Sequence, residues 1–260
     1  MSTPTTPSDS PGTWVLLRGL MRDSRHWGNF PQTFAEALPG ARIELIDFPG
    51  NGLLNAEASA TTVDAMAEHC RSELQRRGLA PPYRLLAMSL GAMVASAWAS
   101  RHPEEIAACV LINTSLRPFS PPHWRLRPSA WPLLLKLLLR PPAPRAIEQT
   151  ILALTSRQAA AAAAPQALVD DWTAWRTTHP VSRANALRQL LAAANYRAPR
   201  AAPATRLLIL NGARDALVDP RCSQRLAAQW SCALAVHPDA GHDLPLDDGP
   251  WVAEQVRRWL

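Results

Sequence analysis

Three side chains in this 260-residue chain have the types and the order for nucleophilic acyl chemistry: Ser89, Asp215 and His242. A serine hydroxyl is a weak nucleophile until an adjacent base takes its proton, and an imidazole serves best when a carboxylate holds its tautomer. Ser89 lies in Ala87-Met88-Ser89-Leu90-Gly91, between the apolar run Leu85 to Met88 and the Ala-, Met- and Trp-rich stretch Leu90 to Ser100. The run reads as a buried parallel strand and the stretch as a buried helix. A serine on the sharp turn between the two is pushed clear of the sheet, while small residues on either side, here Ala87 and Gly91, let strand and helix approach. A serine with a glycine two residues on recurs by chance, so the flanking elements give the motif its weight.

The acid and the base are sought at other strand ends, because loops leaving the carboxyl ends of parallel strands line the ligand crevice. Asp215 follows the strand Thr205 to Leu210, in Asn211-Gly212-Ala213-Arg214-Asp215. By itself it reads equally as a helix cap or a turn residue, and Asp219 is a rival acid. His242 follows the next strand, Cys232 to His237, in Ala240-Gly241-His242-Asp243-Leu244-Pro245; His237, which ends that strand, is the lesser rival.

The elements that must position these residues alternate in type. Thr13 to Leu17, Arg42 to Phe48, Leu85 to Met88 and Ile106 to Ile112 read as strands. Helices are expected within Trp27 to Leu38, over Thr62 to Arg77 with Thr62 as cap, and after Ser89. The pattern resumes after residue 196 with Thr205 to Leu210, a helix over Arg221 to Trp230, Cys232 to His237 and a last helix over Trp251 to Leu260. Such alternation predicts an α/β fold with a mostly parallel sheet flanked by helices. Residues 116–196 break it: they are rich in Pro, Trp, Leu and Arg, lack a strand-like run, and show helical periodicity over Arg145 to Ser156, Val169 to Arg176 and Ser182 to Tyr196. The expected organisation is a disordered tail over 1–12, a core of 13–115 and 197–260, and a helical lid over 116–196. Trp124, Trp131, Trp172 and Trp175, with the leucine run Leu133 to Leu139, make that lid an expected apolar selector over the pocket.

Five short motifs then stand in order: Leu17-Arg18-Gly19-Leu20, Asp47-Phe48-Pro49-Gly50-Asn51-Gly52, Ala87-Met88-Ser89-Leu90-Gly91, Gly212-Ala213-Arg214-Asp215 with Val218, and Gly241-His242 with Pro245. With the order serine, acid, histidine, the chain resembles the α/β-hydrolase superfamily over nearly its full length. The resemblance implies an α/β-hydrolase fold in which Ser89 is the nucleophile, His242 the base and Asp215 the acid. It assigns the oxyanion hole to the backbone N–H groups of Leu20 and Leu90. It also implies a carboxylesterase-like serine hydrolase acting through an acyl-enzyme on an ester or related acyl bond of an apolar small molecule. The same fold carries C–C bond hydrolases, lactonases, acyltransferases, thioesterases and non-catalytic ligand-binding members. Two departures stand out: Arg18-Gly19 replaces the usual His-Gly, and Ala87 replaces the glycine before the nucleophile. The roles of Arg18 and Arg22 stay open.

Composition narrows the partners. Hydrophobic residues make up 47% of the chain, as in a globular protein. The net charge of +6 is carried almost wholly by arginine, with Lys136 the only lysine and no run of five or six cations, so nucleic-acid binding is not expected. Cys70, Cys109, Cys222 and Cys232 form no C-x-x-C pair, and neither a metal nor an organic cofactor is expected. No signal segment opens the sequence and no apolar stretch suffices for a membrane span, so a cytoplasmic enzyme with a small-molecule substrate is expected.

Overall fold

A computed structural model describes residues 12–140, 142–157 and 165–260. The tail expected over 1–12 lies, apart from Gly12, outside the described residues, as does the alanine run 159–164.

Six strands form one sheet in the order β2-β1-β3-β4-β5-β6. They are β1 (Thr13–Leu17), β2 (Arg42–Ile46), β3 (Tyr83–Met88), β4 (Ile106–Ile112), β5 (Arg206–Gly212) and β6 (Ala233–His237), and every pair is parallel. The four inner strands are short and mostly apolar because side chains on both their faces are buried, whereas the edge strands β2 and β6 are partly exposed. Alternate residues serve different layers. Val15, Leu17, Leu85, Ala87, Cys109 and Leu111 pack on one face, against α2 (Val63–Arg76), α3 (Leu90–Arg101) and α9 (Arg221–Trp230). Trp14, Leu16, Leu86, Met88, Val110 and Ile112 pack on the other, against α1 (Phe30–Ala37) and α10 (Leu244–Trp259). Cys70 and Cys109 are among the buried residues, and burial pushes both thiols well above the ordinary range. All four cysteines are free.

Most elements fall where periodicity predicts them. Thr62 caps α2 with its side chain, accepting from the Ala65 N–H at 3.2 Å. The last helix differs, beginning at Leu244 rather than Trp251. It kinks at Asp248, which has non-helical φ −154° and ψ 77°, and the Asp248 carboxylate caps the second half through the Trp251 N–H at 2.9 Å. The expected helix is therefore its second half.

Between β4 and β5 the chain forms α4 (Pro122–Arg125), α5 (Trp131–Leu139), α6 (Pro144–Thr155), α7 (Gln166–Thr178) and α8 (Arg183–Asn195). A small core of Leu152, Val169 and Trp172 joins α6 to α7. Trp131, Leu135 and Leu139 instead face solvent, at 48%, 56% and 62% exposure, so these members of the expected apolar selector do not line a pocket. No helix among the described residues is long and apolar enough to cross a membrane.

The order reverses beside β1: the chain leaves β1 for β2 on one side and returns as β3 on the other. The register aligns Leu17 with Ala87, Met88 with Ile112, Ile112 with Leu210 and Gly212 with His237. All the loops that follow these residues therefore leave from one rim, with the switch point where ligands bind in open α/β sheets lying between β1 and β3.

Candidate active site

Ser89 occupies the turn from β3 into α3 with φ 55° and ψ −114°, a left-handed conformation rare for a residue with a Cβ. Such a backbone costs on the order of 1–3 kcal/mol and persists only where its surroundings over-determine it. Here they do. The Ser89 N–H donates to the Ile112 carbonyl at 2.9 Å, and the Thr114 hydroxyl donates to the Ser89 carbonyl at 3.1 Å. Gly91 permits the turn: a Cβ there would stand 2.4 Å from the Leu17 carbonyl oxygen and 2.6 Å from that of Arg18. Gly19 lies so close that a Cβ on it would be 3.2 Å from Ser89 Cβ and 3.7 Å from its Oγ. Ser89 itself is half-buried while its neighbours Met88 and Leu90 are buried.

The expected oxyanion donors are the N–H of Leu90, directly after Ser89, and that of Leu20, directly after the Gly19 that packs against Ser89. Leu90 opens α3, where an amide has no intrahelical acceptor and the helix dipole favours negative charge. Among the described residues neither amide donates to a protein acceptor. The loop after β1 is held from the opposite side by Gln189 of α8. Its amide oxygen accepts from the Met21 N–H at 2.8 Å, and its amide nitrogen donates to Asn51 Oδ1 at 2.7 Å and Ser59 Oγ at 3.0 Å.

Asp215 and His242, 27 residues apart in sequence, meet at 2.7 Å between Asp215 Oδ2 and His242 Nδ1. A carboxylate only accepts, so Nδ1 carries the proton and Nε2 of the neutral ring is the free base. The other Asp215 oxygen accepts the N–H groups of Leu217 and Val218 at 2.8 and 2.9 Å, which fixes the carboxylate. Both residues are buried. Burial disfavours the imidazolium, but the Asp215 charge and hydrogen bond outweigh it and hold the His242 pKa above the ordinary value. Asp219 is turned elsewhere: its carboxylate takes the Arg221 guanidinium at 2.9 and 2.7 Å. His237 faces Asp248 at 3.2 Å. No hydrogen bond joins Ser89 Oγ to His242 among the described residues; such bonds are often long before substrate binds.

Asn113, at the end of β4, links the pieces. Fully buried at φ 46°, it donates through Nδ2 to the carbonyls of Gly241 and His242 at 3.0 and 2.7 Å. Its Oδ1 accepts from Asn211 Nδ2 and the Gly212 N–H, each at 2.9 Å. Sequence reading passed over Asn113 and Gln189; a polar residue directly after an apolar strand was the only signal for the first.

Arg18, at the usual histidine position, points across the rim and binds Asp243 with both nitrogens, at 3.1 and 2.7 Å. The pair is buried, with Arg18 over the Trp27 ring at 4.7 Å. Burial pushes the Asp243 carboxyl up, yet the guanidinium outweighs this and holds it below the usual range. One ion pair thus joins the residue before Gly19 to the residue after His242. Arg22 lies next to it, over the Trp172 ring at 4.3 Å and bound to Glu148 of α6 at 2.8 Å; Arg176 of α7 shares that carboxylate. Asp243 N–H donates to the Thr155 carbonyl at 2.8 Å, so α6, α7 and α8 all touch loops that carry the site.

Two other features lie elsewhere. His102, Glu104 and Glu105 bring ligand atoms within 4.8 Å of one another at the start of β4, away from the rim, and Glu105 is taken by Arg71. A groove of about 380 Å³ between α2, α3 and α8 is bordered by Asp64, Arg101 and Tyr196 and not by Ser89, Asp215 or His242.

Known proteins are similar to this chain to different extents. Over 113 residues the chain is 35% identical to the biotin biosynthesis bifunctional protein of Teredinibacter turnerae, covering 43% of this chain and 19% of that one. Over 103 residues it is 29% identical to the pimeloyl-[acyl-carrier protein] methyl ester esterase of Chromobacterium violaceum, covering 40% and 37%. The chain thus matches well under half the length of these relatives. The structure of the enol-lactonase from Burkholderia xenovorans superposes with a TM-score of 0.77 at 17% identity, over 95% of this chain and 90% of that one. The profile of the alpha/beta hydrolase fold matches residues 15–249, nearly the whole described core, and the chain belongs to that family.

Proposed function

We propose that this α/β-hydrolase is a serine hydrolase cleaving an ester or related acyl bond of an apolar small molecule. Ser89 Oγ attacks the acyl carbon while His242 Nε2 takes its proton, and His242 returns that proton to the departing alcohol. Water, deprotonated by His242, then attacks the acyl-enzyme, releasing the acid and restoring Ser89. Asp215 keeps the imidazole in the required tautomer and stabilises it when charged. The amides of Leu20 and Leu90 receive the oxyanion, each such donor contributing roughly 3–4 kcal/mol to the transition state. Residues 116–196 act as the lid. The observation that carries the reading is the buried 2.7 Å Asp215–His242 contact on the same rim as a serine at φ 55°. The names of the similar proteins, a methyl ester esterase and an enol-lactonase, accord with it.

The test is a fluorophosphonate label followed by peptide mass mapping, with p-nitrophenyl butyrate hydrolysis alongside. The label is expected on Ser89, and folded Ser89→Ala is expected to lose both the label and about 10⁴-fold or more of kcat. Substantial ester hydrolysis by folded Ser89→Ala refutes the assignment.

A further inference from the structure

Helix α5 presents a surface that the catalytic reading does not use. Trp131, Leu135 and Leu139 recur at every fourth residue and are the exposed large apolar side chains of this helix among those described. The residue after each leucine is an exposed cation, Lys136 and Arg140, so each turn sets a leucine beside a positive charge. The Trp131 ring is held at the start of the stripe by its Nε1–H, which donates to the Leu126 carbonyl at 3.1 Å. Neither Lys136 nor Arg140 meets a carboxylate among the described residues, whereas Arg127 lies beside Asp219 and Arg145 beside Asp170.

The charge around the helix is segregated as well. From Ile106 to Ile147 the chain has no Asp or Glu, and it carries Arg117, Arg125, Arg127, Lys136, Arg140 and Arg145. This one stretch therefore accounts for a charge equal to the whole chain's +6. Apolar side chains flanked by cations on long stems, with a tryptophan at one end, match the boundary between lipid headgroups and acyl chains. An apolar stripe alone would suit many partners; the added positive charge selects an anionic one.

We propose that α5 docks this protein on an anionic lipid surface, with Trp131, Leu135 and Leu139 inserted and Lys136 and Arg140 at the headgroups. Docking would bring the catalytic rim close to that surface. The segment before α5 is pinned to the loop of Asp215: Arg127 N–H donates to the Leu217 carbonyl at 2.8 Å, and Asp219 N–H to the Trp124 carbonyl at 2.9 Å.

The test is co-sedimentation of the full chain with vesicles of phosphatidylcholine alone and of an equimolar phosphatidylcholine–phosphatidylglycerol mixture. Binding to the mixed vesicles is expected, weaker binding to the neutral ones, and loss at about 1 M salt, where the Debye length falls to about 3 Å. Each headgroup cation is worth about fivefold, so Lys136→Glu/Arg140→Glu should weaken partitioning by well over tenfold. Leu135→Ser/Leu139→Ser should weaken it at least as much, with thermal unfolding unchanged because these side chains are exposed. Absence of binding to the mixed vesicles overturns the proposal, as does binding indifferent to both variants. Binding that falls only with the charge reversal also overturns it, pointing to an acidic macromolecule. A dimer in lipid-free sedimentation that Leu135→Ser/Leu139→Ser abolishes assigns the face to a second copy instead. The vesicle assay needs no turnover, so it stands or falls independently of the serine hydrolase reading.

Discussion

At the scale of single residues, the site divides into groups that react and groups that hold them. Asp215 is expected to hold the imidazole that reacts. Asp215→Asn should lower kcat by about 10⁴, since an amide no longer enforces the productive imidazole tautomer, while Asp219→Asn should change it little. The pH profile carries a second check. His242 must be neutral to accept the Ser89 proton, and its pKa lies above the ordinary 6.5. Activity is therefore lost as pH falls through a midpoint above 6.5, and the kcat/KM limb should lie there. Removing the Asp215 charge should move the limb of the residual activity to lower pH. Arg18 belongs with the holding groups. Arg18→Met strands the Asp243 carboxylate in a buried site, at a cost of about 3–5 kcal/mol in urea unfolding. The double variant Arg18→Met/Asp243→Leu should recover most of that loss, because no unpaired charge remains. A single variant as stable as the parent would show that water reaches the carboxylate.

At the scale of elements, the loop after β1 is clamped to α6 and α7. His26 packs edge-on against Trp172 and Trp175 at 5.1 and 5.3 Å between ring centroids, with its Nε2 2.9 Å from Arg22 Nη1. Burial and the neighbouring Arg22 charge lower its pKa to about 4, although Asp23 pulls the other way. The unfolded chain takes up this proton near 6.5 and the folded one only near 4. Stability from the neutral imidazole is thus fully present above 6.5 and lost progressively as pH falls toward 4. The span amounts to about 3 kcal/mol. His26→Gln should flatten that part of the curve of unfolding free energy against pH, whatever it does to the plateau. An unchanged acid slope would place the sensitivity in other groups.

For the whole molecule, the question is what the helical segment between β4 and β5 admits. Trp172 is buried and covers Arg22, and Trp175 packs on His26, so these two aromatics face the site loops while Trp131 faces away. If residues 116–196 close an apolar pocket, kcat/KM for p-nitrophenyl esters should climb from acetyl as the acyl chain lengthens. Each buried methylene contributes about 0.8 kcal/mol, near fourfold per step until the pocket fills. A maximum at acetyl would deny the lid that role.

Local order along the chain was enough for much of this. The strand, turn and helix around Ser89 could be read directly, because an apolar run, one polar residue and a small-residue helix have few other ways to fold. The alternation elsewhere set the parallel sheet, and strand ends placed Asp215 and His242 on the rim of Ser89, since the loops that follow parallel strands all leave from the same edge of the sheet. Which acid turns toward the histidine was not local information. Motif position favoured Asp215 over Asp219, but the contact that distinguishes them spans 27 residues, from Asp215 to His242, while Asp219 takes Arg221 two residues on. The partner of Arg18 lies 225 residues away, and Gln189 reaches Met21 across 168. Neither pairing leaves a trace in periodicity, because a buried polar contact depends on which surfaces meet rather than on the propensities of either segment. Helix α5 shows the same limit from the other side. It is apolar nearly all round, so no period in its sequence marks an inner face. Only the tertiary structure, by half-burying Leu133, Leu134 and Leu137 and leaving Trp131, Leu135 and Leu139 in solvent, decided which residues serve the fold and which are free to meet something else.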